Sequence, residues 1–75
     1  MKLKQAAKSM LQTLDVGIYY LAAERDGKLY IFNKEPRALR CGIWWTSCRG
    51  KISVGQRYTG NKSWDVALIK FEVSV

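Results

Sequence analysis

The pattern of apolar and polar side chains begins at helical spacing. Apolar side chains lie on one face of a helix over residues 2–14, at Leu3, Ala7, Met10, Leu11 and Leu14. The remaining positions are mostly lysine or polar, so the segment is amphipathic and basic. We expect the apolar stripe to dock on a sheet. The alternative, contact with a membrane surface, is less favoured because the stripe has no aromatic anchor and the strands that follow need covering.

The spacing changes to strand-like alternation after Asp15. Residues 15–33 are predicted to form a β-hairpin with Asp26-Gly27 in its turn, because this pair tolerates the positive φ angles of tight hairpin turns. Residues 34–40 interrupt the alternation and include the only proline, Pro36, so they are predicted to form a turn.

Two further segments complete the predicted sheet. A second hairpin is predicted over residues 41–58, with its turn at Arg49-Gly50-Lys51. A final strand is predicted over residues 63–75, where apolar and polar side chains alternate. Its apolar positions are Ala67, Ile69, Phe71, Val73 and Val75. If this strand lies at an edge of the sheet, it offers a route to a homodimer.

These elements predict one α+β domain over residues 1–75. Its N-terminal helix packs on a curved antiparallel meander of about five strands, since nothing in the pattern suggests the helical crossovers of a parallel sheet. The alternative is a strongly curved sheet that approaches a small, partly open β-barrel. A chain of 75 residues is long enough for one hydrophobic core and too short for two.

Composition argues against catalysis and against a metal site. The chain has no histidine, which removes the commonest general base and metal ligand, and its six carboxylates are scattered singly. Cys41 and Cys48 are too few for a zinc site or a disulfide framework, and we expect two partly buried free thiols. We therefore expect a non-enzymatic protein without cofactor or metal. We expect it to be cytoplasmic, because no apolar run approaches the roughly 20 residues of a membrane span.

Charge and aromatic residues concentrate in the same part of the chain. There are 13 basic and 6 acidic residues, and no acidic residue lies between Arg37 and Lys62. Strand alternation predicts that Trp45 points into the core and that its neighbour Trp44 points outward among cations. The predicted partner-binding surface comprises Arg37, Arg40, Trp44, Arg49, Lys51 and Arg57.

Such a surface suits two kinds of partner. Tryptophan and arginine are among the residues most enriched in interface hot spots, which favours an inhibitor or adaptor that docks on a protein or nucleoprotein complex. The alternative is single-stranded DNA or RNA, whose bases stack on an exposed indole while cations neutralise phosphates. A third reading is purely structural, with arginine stems lying over a tryptophan that covers the sheet. In general character, this small tryptophan-containing basic chain resembles accessory proteins of phages and mobile elements, including inhibitors of host defence. That resemblance implies a protein partner.

Overall fold

The computed structural model describes residues 2–46 and 51–74, which form one α-helix, one short 3₁₀ helix and six strands. The helix α1 spans Leu3–Met10 and the 3₁₀ helix spans Trp64–Val66. The strands are β1 (Gly17–Ala23), β2 (Lys28–Phe32), β3 (Arg37–Ala38), β4 (Trp44–Trp45), β5 (Ile52–Arg57) and β6 (Leu68–Val73).

The six strands form two sheets. Four of them make an antiparallel sheet in the order β5-β2-β1-β6, and β3 pairs with β4 in a separate antiparallel ribbon. The predicted α+β class, with an N-terminal helix on an antiparallel sheet, is confirmed. In the described part of the chain the larger sheet is open rather than closed into a barrel.

The helix is shorter than the predicted range 2–14. It ends at Met10, and the chain continues through Leu11 and Thr13 in tighter turns, in which Leu11 N donates to Lys8 O and Thr13 N donates to Met10 O. The Thr13 hydroxyl also donates to Met10 O, at 3.0 Å. The Thr13 hydroxyl thus competes with a regular helical hydrogen bond to Met10 O.

One face of the sheet is covered by α1. Its buried residues are Ala6 and Ala7, which pack against Leu21, Leu29 and Ile31 in the centre of the sheet. Alternate residues of the last strand, including Ile69 and Phe71, pack against the same cluster, as the predicted alternation requires. This layer is the larger part of the core.

The opposite face is covered by the β3–β4 ribbon. Trp44 and Ala38 of the ribbon pack with Ala22 and Phe32 of the sheet, and Trp64 of the 3₁₀ helix joins them. The molecule therefore has three layers, with the four-stranded sheet between the helix and the ribbon. Among residues 2–46 and 51–74, no helix is long and apolar enough to span a bilayer.

The hairpin predicted at Asp26-Gly27 is present, but its turn uses one positive φ angle rather than two. Gly27 has φ 87°, and no described residue other than glycine has a positive φ. Gly27 N donates to Glu24 O, and Glu24 N donates to Lys28 O. This is a type I turn followed by a glycine bulge, a common three-residue hairpin connection.

The second hairpin predicted over residues 41–58 is wrong. Its first half, β4, pairs with β3, and its second half, β5, pairs with β2. The turn at Leu39–Gly42 repeats the hydrogen bonding of the first hairpin, because Gly42 N donates to Leu39 O, Leu39 N donates to Ile43 O, and Gly42 has φ 99°. A hairpin therefore lies where a turn over 34–40 was predicted. The predicted turn at Arg49-Gly50 lies outside the described residues.

Candidate binding surface

The two adjacent tryptophans of β4 face opposite sides of the ribbon. Trp44 lies opposite Ala38, and Trp45 lies opposite Arg37. Only 5% of the Trp44 surface is exposed, whereas 48% of the Trp45 surface is exposed. The predicted orientation, with Trp45 inside and Trp44 outside, is therefore wrong. Opposed residues of an antiparallel pair share a face, so Trp45 shares the face of a charged residue and Trp44 the face of an alanine.

Trp44 is a structural residue held on both its backbone and its ring. Its indole Nε1 donates to Ala23 O at 2.8 Å, and its ring meets Trp64 edge to face, with centroids 6.4 Å apart. Its backbone N donates to Glu24 Oε2 at 3.2 Å. A ring with these contacts cannot stack on a base or enter a partner's pocket while the fold is intact.

Glu24 is the buried acidic residue that ties the ribbon to the sheet. It is only 5% exposed, and its Oε2 atom accepts hydrogen bonds from Trp44 N and, at 2.7 Å, from Lys51 Nζ. The Lys51 ammonium also lies 4.0 Å from the centroid of the Tyr30 ring. A buried carboxylate is tolerated because a cation and a backbone N–H compensate for lost water. Lys51 thus belongs to this internal network.

The two hairpin turns dock on each other. Arg25 N donates to Gly42 O at 2.9 Å, and Arg25 Nη2 donates to Arg40 O at 2.8 Å. The Arg25 guanidinium also lies over the Trp64 ring, at 5.4 Å from its centroid. These contacts fix the ribbon's position and leave its other side facing solvent.

The solvent side of the ribbon carries the exposed aromatic and basic groups. The Arg37 guanidinium lies 5.8 Å from the Trp45 ring centroid. Ile43 alternates with Trp45 along the chain and is 38% exposed, and Arg40 is exposed in the turn. We call this set the ribbon outer face: Arg37, Arg40, Ile43 and Trp45.

The predicted site is therefore divided by the structure. Arg37 and Arg40 belong to the ribbon outer face, whereas Trp44 N and Lys51 Nζ both donate to the buried carboxylate of Glu24. Arg57 lies at the first hairpin turn, where its Nη1 atom donates to Asp26 O at 2.6 Å. Arg49 lies outside the described residues. The structural reading, an arginine over a tryptophan that covers the sheet, is seen at Arg25 and Trp64. Arg37 makes the same kind of contact with Trp45, but on the solvent side of the ribbon.

Arg40 of the ribbon outer face borders an open cavity. This cavity, of about 330 Å³, lies between the Leu39–Gly42 turn and the 3₁₀ helix, and another of about 390 Å³ lies between α1 and β6. Cys41 is an exposed free thiol in that turn rather than a partly buried one; Cys48 lies outside the described residues. In residues 2–46 and 51–74 there is no group of three acidic or cysteine residues that could hold a metal ion.

The sequence prediction missed the turn at Leu39–Gly42 and the burial of Glu24. Only the turn had a pattern in the sequence that could have revealed it. Gly42 follows Leu39-Arg40-Cys41 as Gly27 follows Glu24-Arg25-Asp26, so the same turn could have been inferred. That turn would have placed Trp45 opposite Arg37. The burial of Glu24 had no comparable signal, because a carboxylate beside a turn usually faces solvent.

The ribbon outer face offers an exposed indole, an exposed aliphatic side chain and two arginines that are also exposed. Such a combination of groups serves binding better than bond-making chemistry. A comparison with family models, curated proteins and solved structures finds no match to this chain.

Proposed function

We propose that this chain is a non-enzymatic binding protein that docks through the ribbon outer face on an acidic surface of a partner protein, as an inhibitor or adaptor. The observation that carries the proposal is the exposure of Trp45. Its indole is 48% exposed beneath the Arg37 guanidinium, whereas the neighbouring Trp44 is buried. Tryptophan and arginine are the residues most enriched among interface hot spots.

Charge and apolar character both favour a protein partner. No acidic residue lies between Arg37 and Lys62 in the sequence, so this stretch of the chain complements a negative surface. Ile43 lies beside Trp45 and is also exposed. An aliphatic side chain gains from burial against protein and contributes little to contacts with phosphates or base edges. The pair therefore resembles the apolar centre of a protein interface with a basic rim.

The test is affinity capture by matched variants rather than by the wild type alone. Trp45→Ala should reduce retention of the same captured protein by about tenfold or more, as expected for a hot-spot residue. Lys8→Ala removes an exposed cation from α1 and serves as the control, since it should retain the partner. Loss of the partner with Lys8→Ala but not with Trp45→Ala would contradict the proposal.

A nucleic acid is the second candidate, and the Arg37–Trp45 pair favours it. An indole beneath a guanidinium can stack on an unpaired base while the cation contacts the phosphate. Affinity for a fluorescent single-stranded oligonucleotide should then fall steeply between low and moderate salt and decrease further with Trp45→Ala. In the capture experiment, nuclease treatment separates the candidates, because a protein partner held directly remains bound after digestion.

A further inference from the structure

The two edges of the four-stranded sheet differ in their protection. The edge strand β5 pairs with β2 in a register that shifts between Lys28 and Tyr30, and Gly55 has φ 80° within it. Bulges of this kind twist an edge and discourage further pairing. The opposite edge strand, β6, pairs with β1 in one uninterrupted register from Gly17↔Val73 to Ala22↔Leu68. It presents the regular backbone that an added strand requires.

The hydrogen-bonding direction of each residue in β6 follows from that register. Ala23 N donates to Ala67 O, so the odd-numbered residues of β6 bond toward β1. The backbone groups of Leu68, Lys70 and Glu72 therefore point to the open edge. An antiparallel strand added there would form its hydrogen-bonded pairs at these positions.

The charge pattern at this edge is complementary to itself. When two copies of β6 pair antiparallel about a twofold axis at Phe71, Lys70 of each copy lies opposite Glu72 of the other. Both are hydrogen-bonded positions, as the open edge requires. A twofold axis at residue 70 or 72 would instead place like charges opposite each other or leave these charges without an opposite partner. Glu24–Lys51 is the only salt bridge among the described residues, so neither Lys70 nor Glu72 forms one with another residue of that part of the chain.

We propose that β6 is the interface of a homodimer, in which two four-stranded sheets join into one through Lys70–Glu72 pairs. On the helix side, Phe71 of one copy lies opposite Phe71 of the other. The cavity of about 390 Å³ between α1 and β6 borders this contact, and its apolar lining includes Leu11, Ile69 and Phe71. The second copy's apolar residues lie alongside that lining and shield it from water.

Charge reversal of the two residues tests the register. Lys70→Glu places two acidic residues opposite two acidic residues, and Glu72→Lys does the same with basic residues. Each should raise the dimer dissociation constant by about tenfold, measured by analytical ultracentrifugation. The double variant Lys70→Glu/Glu72→Lys restores opposite charges and should dimerise like the wild type. Measurements at about 0.15 M salt screen the net charge beyond roughly 8 Å and preserve directly opposed pairs.

Mixing the two single variants provides the sharpest form of the test. In a mixed dimer, the two acidic residues of the Lys70→Glu chain lie opposite the two basic residues of the Glu72→Lys chain. The mixture should therefore form heterodimers with a dissociation constant near the wild-type value, about tenfold below that of either variant alone. Lys34→Glu changes the net charge by the same amount as Lys70→Glu. Lys34 lies in the loop after β2, which β1 separates from β6, so this variant should dimerise like the wild type. Thermal melts of the dilute monomers check that each variant folds.

Four results would overturn the proposal. The wild type could sediment as a monomer at every concentration, or the single reversals could dimerise like the wild type. A double variant that folds but does not recover the dimer would exclude this register. A partner protein that binds β6 and leaves the chain monomeric would likewise assign the edge to a different occupant.

Discussion

Trp44 and Trp45 are neighbours in the sequence but occupy opposite environments. Trp44 is packed between the ribbon and the sheet and donates its indole N–H to Ala23 O, whereas Trp45 lies on the solvent side beneath Arg37. The inner ring joins the layers of the fold. The Trp45 ring contacts the Arg37 guanidinium, and no other layer of the described residues covers it.

The difference shows that a basic-aromatic stretch contains two kinds of residue. Lys51 binds the buried carboxylate of Glu24, and the indole of Trp44 packs in the core. Arg37 and Trp45, in contrast, face the solvent. A count of cations and aromatics cannot separate them. The separation follows from the pairing register of two strands that are each two residues long.

The largest expected effect is that of Trp44→Ala on stability. Removal of the buried ring should lower the free energy of unfolding by about 3–5 kcal/mol, because it leaves a cavity between the layers. Trp45→Ala should lower it by less than about 1 kcal/mol, since that ring is half exposed. Chemical denaturation of both variants measures the contrast. Equal losses would mean that the two rings do not differ as described.

Loss of the Glu24 carboxylate is expected to have the next largest effect. Glu24→Ala removes the acceptor of the buried Trp44 N–H and should cost about 1–3 kcal/mol. The Lys51 side chain adds less to this cost because 35% of its surface remains exposed to water. Glu35→Ala removes an exposed carboxylate and is the control, expected within about 0.5 kcal/mol of the wild type.

The turn that sets the ribbon register is tested by Gly42→Ala. This substitution adds a Cβ atom at φ 99° and places it 3.0 Å from Arg25 Cβ, so we expect a loss of about 1–2 kcal/mol. Gly55→Ala imposes a similar backbone cost at φ 80° but meets nothing within 4 Å. Thermal melts should therefore show the larger decrease for Gly42→Ala. A larger decrease for Gly55→Ala would show that the docking of the two turns contributes little.

The smallest effect is expected from Arg37→Ala. The guanidinium lies over an exposed ring, so its loss should lower stability by less than about 1 kcal/mol while weakening partner binding. Denaturation and capture experiments on this variant measure the two properties separately. A large loss of stability with unchanged binding would show that Arg37 has a structural role, like Trp44 and Lys51.

Local patterns in the sequence predict the layers of this fold better than its pairings. The helix, the Gly27 hairpin and the alternation of Ile69 and Phe71 are each specified by neighbouring residues, and the structure contains them. The pairing of β5 with β2 joins segments distant in the sequence, which no local pattern specifies. The prediction that β5 forms a hairpin with β4 is therefore wrong.

The candidate surface was predicted only in part for a related reason. Arg37 lies opposite the exposed Trp45, and Arg40 is exposed in the adjoining turn. The choice between Trp44 and Trp45 depended on the strand register, because a shift of one residue exchanges the two faces. The strand register in turn depended on recognising Gly42 as the bulge of a turn. The burial of Glu24 arises from tertiary packing and could not be inferred from its neighbours.

The most direct test of the account is the accessibility of the two indoles to a quencher. Fluorescence quenching by acrylamide should fall sharply in Trp45→Phe, which retains the buried Trp44 and the half-buried Trp64. It should remain near the wild-type level in Trp44→Phe, which retains the exposed ring of Trp45. The opposite result, with quenching lost in Trp44→Phe and kept in Trp45→Phe, would contradict the assignment of Trp45 to the binding surface.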